Sequence, residues 1–320
     1  MRSLILVLAL TIAQIAPAGA QPPTFRAGYT RITVQDTPAF EALVAYPTDA
    51  AEVAVEEGPI RLSASRDASI APGARFPVVL FSHGGGRGPG TPLVHGDLLL
   101  HLARQGFIVV APFHPGTSKP FADRPRQMRE ALDSVLADPR FAQQADRDRL
   151  GMVGFSFGGA MTLIAAGATF DLAQLSAYCH DHVDDTRACE GIATDGSWAK
   201  VPPSRKSDDT LPLKALVLLE PYGALFTAKG LASLDQPTLI YSAGQSDLRP
   251  EGNALALAKA MPRAPQEIAV PGSHFVFVDP CSPVLATRAA EICSDPPGTD
   301  RAVVHQRFKR EITDFLRANL

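Results

Sequence analysis

Gly154-Phe155-Ser156-Phe157-Gly158 places a serine between two glycines, with an apolar run before it and an Ala/Gly-rich run after it. This is the G-x-S-x-G pattern, in which a strand turns sharply into a helix and a strained serine lifts its Oγ clear of the sheet. The glycines are required because side chains at the turn would clash. A serine hydroxyl is a weak nucleophile alone; it needs a base, a group that orients the base, and donors for the oxyanion. A short glycine-rich turn also occurs for structural reasons, so the other groups decide the matter.

Chain order narrows the base. In this arrangement the histidine comes last, with the acid between it and the serine. His274, in "VPGSHFVF" just past the apolar run "QEIAV", stands in that place. His83 and His114 precede the serine, and His95, His101, His180, His182 and His305 fall in helical segments or in an irregular excursion. Asp247, in "YSAGQSDLRP", follows a predicted strand and is the expected acid, reaching the far ring nitrogen of His274; Glu220, in "LLEPYG" one strand earlier, competes for that role. The glycine run "FSHGGGRG", Phe81 to Gly88, lets backbone N–H groups approach a reacting carbonyl closely. Gly85 and Phe157, the residue after the nucleophile, are the expected oxyanion donors. No Gly-Lys-Ser/Thr follows, which disfavours a phosphate loop.

These residues need a scaffold. "RITVQD" and "EALVAYP" read as short alternating strands, and residues 50–75 as a loop or weak edge structure. "PVVLFS", "FIVVAP", "RLGMVGF", "KALVLLE" and "PTLIYSA" are continuous apolar runs, as in strands buried on both faces of a parallel sheet. Helical segments are expected around 93–105, 126–137, 158–168, 251–261 and 301–318. The alternation implies an α/β fold: a mostly parallel central sheet with helices on both faces. Residues 170–213 interrupt it and form an insertion above the carboxyl ends of the strands, where ligands bind in such sheets; a partial lid is expected. Phe155, Phe157, Tyr222, Phe226, Trp198 and Phe275 are candidates to line an apolar pocket.

Bulk properties bound the partners. The 320 residues carry a net charge of -3 with no Lys/Arg cluster, which gives no reason to expect nucleic acid. "MRSLILVLALTIAQIAPAGA" has one arginine, an apolar stretch and a small-residue end, the pattern of a secretory signal cleaved after Ala20. Residues 1–20 are therefore read as a signal peptide and 21–320 as one domain, exported to a periplasmic or extracellular space without stable membrane insertion. In an oxidising compartment four cysteines favour bridges over thiols. They allow three connectivities; the local pairs Cys179–Cys189 and Cys281–Cys293 are expected. The pairs lack metal-ligand spacing, so no metal is expected.

With "FSHGGG", "APFHPG", "GFSFGG", "AGQSD", "GSHFVF" and "ICSDPPGTDRAVVHQRF" spread over nearly the whole mature chain, the sequence resembles the α/β-hydrolase superfamily. Within it, the resemblance is to the exported group described as predicted dienelactone hydrolases, related to platelet-activating-factor acetylhydrolases. Dienelactone hydrolases proper use a cysteine nucleophile, and this elbow carries Ser156. The resemblance thus implies an ester hydrolase acting on a small ester or lactone through an acyl-enzyme, with no cofactor. Peptide, amide or polyester cleavage on the same residues, or a binding protein keeping the fold, are the alternatives.

Overall fold

The computed structural model describes residues 25–73, 75–85 and 90–320; the expected signal peptide lies outside them. The first strands are β1 (Arg26–Val34), β2 (Phe40–Thr48), β3 (Val53–Glu57), β4 (Ile60–Arg66) and β5 (Phe76–Ser82). Then come α1 (Gly96–Arg104), β6 (Ile108–Pro112), α2 (Pro120–Ala137), β7 (Ala145–Phe155) and α3 (Phe157–Ala165). The insertion holds α4 (Leu172–Asp181) and α5 (Thr186–Cys189). After it follow β8 (Ala215–Leu219), α6 (Ala228–Leu231), β9 (Thr238–Ala243), α7 (Ala254–Ala260), β10 (Gln266–Val270), α8 (Pro283–Arg288), α9 (Ala290–Cys293) and α10 (Arg301–Asn319).

The strands form one ten-stranded sheet in the order β10-β9-β8-β7-β5-β6-β2-β1-β4-β3. From β10 to β6 every neighbouring pair is parallel; β2 then runs antiparallel to both β6 and β1. The hairpin β3–β4 sits at the far edge, so the region read as loop or weak edge structure is edge strand. Apart from the exposed edge strand β10, the parallel strands are buried on both faces over most of their length, and period-2 alternation sends their side chains into two separate cores. Val78 and Leu80 of β5 pack with Met128 and Val135 of α2 and Ile164 of α3. Val79 and Phe81 face the other way, against Leu98 and Leu102 of α1 and Phe308 and Ile312 of α10. Among the described residues, no helix is long and apolar enough to cross a membrane.

Helix α2 starts at Pro120, six residues before the predicted start at Arg126. A proline at the first helical position costs no hydrogen bond, and the helix absorbs Pro125 in its second turn.

Strand order reverses beside β5: β6 lies on one side of it and β7 on the other. A crevice opens at such a switch point, at the carboxyl ends of the strands. The loops that leave β5 and β7 there carry Gly84-Gly85 and Ser156. α3 starts so close to β5 that a Cβ on Gly158 would fall far inside contact distance of the Ser82 carbonyl oxygen. Gly158→Ala is therefore expected to cost about 3 kcal/mol, because the clashing atom is backbone and cannot swing aside. Gly191→Ala, at φ +69 with open space around it, should cost only the left-handed backbone penalty of about 1 kcal/mol. Paired thermal melts check the ranking; equal losses would refute it.

Candidate active site

Ser156 follows β7 at φ 55, ψ -120, in the left-handed region that a side chain rarely occupies. The strain is held by the surroundings. Ser156 N–H donates to Leu219 O of β8 at 2.9 Å, and its carbonyl accepts from Gly159 and Tyr222 N–H at 2.9 and 3.0 Å. A Cβ on Gly154 would collide with the Gly158 carbonyl and with Thr162 Oγ1. Both glycines of the pattern are thus required by close approach.

After β10 the chain turns through Gly272 at φ +123 into a short 3₁₀ helix, His274–Phe277. This puts His274 Nε2 3.0 Å from Ser156 Oγ, with the imidazole buried and packed on the Phe155 ring at 5.0 Å. Three successive carbonyls of this segment are tied down from outside it. His305 Nε2 donates to Val276 O (2.9 Å), His95 Nδ1 to Phe277 O (3.0 Å), and Arg301 Nη1 to Val278 O at a longer 3.4 Å. Arg301 is itself fixed by a bidentate pair with Asp295 (2.7 and 3.0 Å) and a bond to Ile292 O (2.8 Å). The segment "ICSDPPGTDRAVVHQRF" thus supplies two of the three groups that hold the histidine turn. The sequence gives no sign of this use, because a side chain that binds a carbonyl leaves no spacing signature.

Asp247 lines the same cleft as His274, yet its carboxylate is engaged elsewhere. Both oxygens accept from Arg187 of α5, at 2.6 to 2.8 Å. Arg187 also reaches Glu291 at 3.0 Å and lies over the Phe275 ring at 4.8 Å. The hydrogen bonds therefore bring together Ser156 and His274 but not His274 and Asp247, and His274 Nδ1 is buried without a partner among the described residues. Leaving such a group unpaired costs roughly 1–3 kcal/mol. Burial first, then the positive charge of Arg187, lowers the His274 pKa to about 3, while the Asp247 charge works in the opposite direction. Glu220, the competing acid, is buried at φ 46 and accepts from Ala243 N–H at 2.5 Å. Burial raises its pKa to about 8, with the Asp247 charge adding to the effect. The shift favours its neutral form.

On the opposite side of Ser156, a Cβ on Gly84 would lie 3.3 Å from Ser156 Cβ, which shows how closely the glycine run passes. Gly85 follows at φ +77. Phe157 is the first residue of α3, where N–H groups have no partner inside the helix. Residues 86–89 of the same run lie outside the described residues.

A cavity of about 880 Å³ opens over Ser156, within the size range of small-molecule sites. Phe155, Phe157, Tyr222 and Phe275 line it, whereas Phe226 is packed in the core; the side chain of Trp198 lies outside the described residues. The insertion closes one wall with Leu175, Ala188 and Ile192. Its helices are joined by the Cys179–Cys189 disulfide, and Cys281–Cys293 closes the loop through α8 and α9.

No family model matches the chain, and no curated protein is similar to it. Among solved structures, it is similar to a carboxyl esterase 2 from the mycorrhizal fungus Tuber melanosporum. The TM-score is 0.52 at 15% identity, over 95% of this chain and 93% of that one. At that identity the likeness is one of fold, and with the sheet order above it shows an α/β-hydrolase fold.

As a base, His274 would have to be neutral to take a proton, so the acid limb of kcat/KM would report its pKa. It is expected to lie below the ordinary histidine value of about 6.5. Arg187→Gln removes a repelling charge and should move the limb to higher pH; Asp247→Asn removes an attracting one and should move it lower. A pH-rate profile unchanged in both variants would sink this account.

Proposed function

We propose that this protein is a serine hydrolase of carboxylic esters, working through an acyl-enzyme. The observation that carries the reading is the 3.0 Å pairing of His274 Nε2 with Ser156 Oγ, on a strained turn facing an apolar-walled cavity. Ser156 attacks the ester carbonyl while His274 Nε2 accepts its proton. The oxyanion takes hydrogen bonds from the N–H groups of Gly85 and Phe157, and His274 then returns the proton to the leaving alcohol. Water cleaves the acyl-enzyme with the same base.

Asp247 is the acid of this proposal. It shares the cleft with His274 and favours the imidazolium electrostatically. Rotating its carboxylate from Arg187 toward Nδ1 would give the buried N–H its acceptor. Glu220 suits the role less, since burial raises its pKa and favours the neutral form. The insertion at 170–213 serves as a partial lid. The substrate is a small or medium uncharged ester or lactone, in keeping with a cavity of about 880 Å³. Two closed disulfides favour an oxidising compartment, as the N-terminal signal pattern of an exported protein would have it.

The test is hydrolysis of p-nitrophenyl esters from acetate to palmitate by the oxidised mature chain, beside Ser156→Ala. Activity should peak at short or medium acyl chains, and the variant should lose at least about 10⁴-fold in kcat. A fluorophosphonate should label the wild type at Ser156 and leave the variant unlabelled. A folded wild type that neither turns over ester nor takes the label would refute the proposal and favour a binding protein.

A further inference from the structure

Behind the oxyanion side of the cavity lies a buried polar group that the mechanism above does not use. Arg124, in the second turn of α2, has no exposed surface at all. Its Nη1 donates to the carbonyl of His83 at 3.0 Å, and its guanidinium lies over the Phe157 ring at 5.2 Å. Nε and Nη2 find no hydrogen-bond partner, and no carboxylate pairs with Arg124 among the described residues. Burial lowers its pKa only to about 10, so the charge persists at neutral pH.

A buried cation without a counter-ion is among the most costly things a fold can hold. Its neighbours do not relieve it. The His83 and His114 rings lie 5.0 Å apart at a tilt of 58° beside it, and burial disfavours their charged forms, with the Arg124 charge adding to the effect. His114 Nδ1 bonds instead to Gln127 at 2.7 Å. What the guanidinium does touch is specific: the carbonyl of His83, two residues before Gly85, and the ring of Phe157. Those are the two segments whose N–H groups are the candidate oxyanion donors. Negative charge develops between them during acyl transfer, and a positive charge in a site poor in water acts on it strongly.

We propose that Arg124 is the positioning residue of the oxyanion site, binding its two donor segments together and supplying behind them a fixed positive charge whose counter-charge is the oxyanion itself. This rests on the ester-hydrolase reading. Such a role is selective for the transition state: the ground-state ester carries no charge for Arg124 to act on. Losing the role should therefore lower kcat and leave KM nearly unchanged.

The experiment compares wild type, Arg124→Lys, Arg124→Gln and Arg124→Met on one p-nitrophenyl ester, with folding checked by circular dichroism. The inhibition constant of an alkyl trifluoromethyl ketone, which Ser156 converts to a bound hemiketal oxyanion, is measured in parallel. The expected result is a fall in kcat of roughly tenfold to hundredfold in the Gln and Met variants, somewhat less than loss of a direct oxyanion donor. KM should stay within about twofold, and the ketone should weaken in the same proportion as kcat. Lys, which keeps charge and a donor, should recover most of the loss. Gln keeps a donor without the charge, so Gln activity equal to Lys would overturn the electrostatic half of the proposal. Folded Gln and Met variants with wild-type kcat and ketone affinity would overturn it entirely, as would losses confined to KM. If the Met variant fails to fold, the Lys and Gln pair decides. A wild type that turns over no ester and takes no fluorophosphonate would instead bring down the ester-hydrolase reading, and this inference with it.

Discussion

The site depends on how closely α3 begins against the carboxyl end of β5. Gly158 presses on the Ser82 carbonyl with no room for a methyl group, and Gly154 is equally confined by Gly158 and Thr162. That contact forces the chain to turn within one residue, and the residue at the turn is Ser156, held at φ 55 by bonds to β8 and to the segment after it. The same contact brings the glycine run after β5 against the serine. One steric constraint therefore sets the exposure of Ser156, the proposed nucleophile, and places the glycine run proposed as the oxyanion loop beside it.

His274, the proposed base, is placed by a different kind of force. His274 sits on a single 3₁₀ turn, too short to be stable through its own hydrogen bonds. Three side chains from two elements grip the carbonyls of this turn and of the residue after it: His95 before α1, and His305 and Arg301 from α10. Each of these groups is buried, so the grip acts in surroundings where an unpaired carbonyl would be costly. The Cys281–Cys293 loop and the Arg301–Asp295 pair anchor the far side of the same arrangement. The C-terminal third of the chain is thus both a layer of the fold and the mounting of one imidazole.

Electrostatics connect the insertion to His274. Arg187 reaches down from α5 to hold Asp247, so the charge that His274 experiences is that of a pair and not of a lone carboxylate. The Cys179–Cys189 bridge closes the loop that carries Arg187. Any movement of this wall of the cavity is consequently felt at Asp247 and, through it, at His274.

Much of this was legible in the amino-acid order. Continuous apolar runs alternating with amphipathic ones dictate a parallel sheet between two helical layers, because only a strand covered on both faces tolerates such a run. The glycine spacing around Ser156 announces a turn that side chains would block, and two cysteine pairs close in sequence join as local bridges. Residues 50–75 read only as weak, since an edge hairpin with one solvated face has little apolar signal. Tertiary structure alone decided the rest: which oxygen His95, His305 and Arg301 bind, that Arg187 captures Asp247, that Glu220 is buried, and that Arg124 lies uncompensated behind the glycine run after β5. These are contacts between residues from 23 to 182 positions apart, joined by side chains whose partners are single carbonyls, a carboxylate or a ring. Local sequence encodes periodicity and turn chemistry through neighbours in the chain; it carries no record of which distant polar atom a buried side chain will meet.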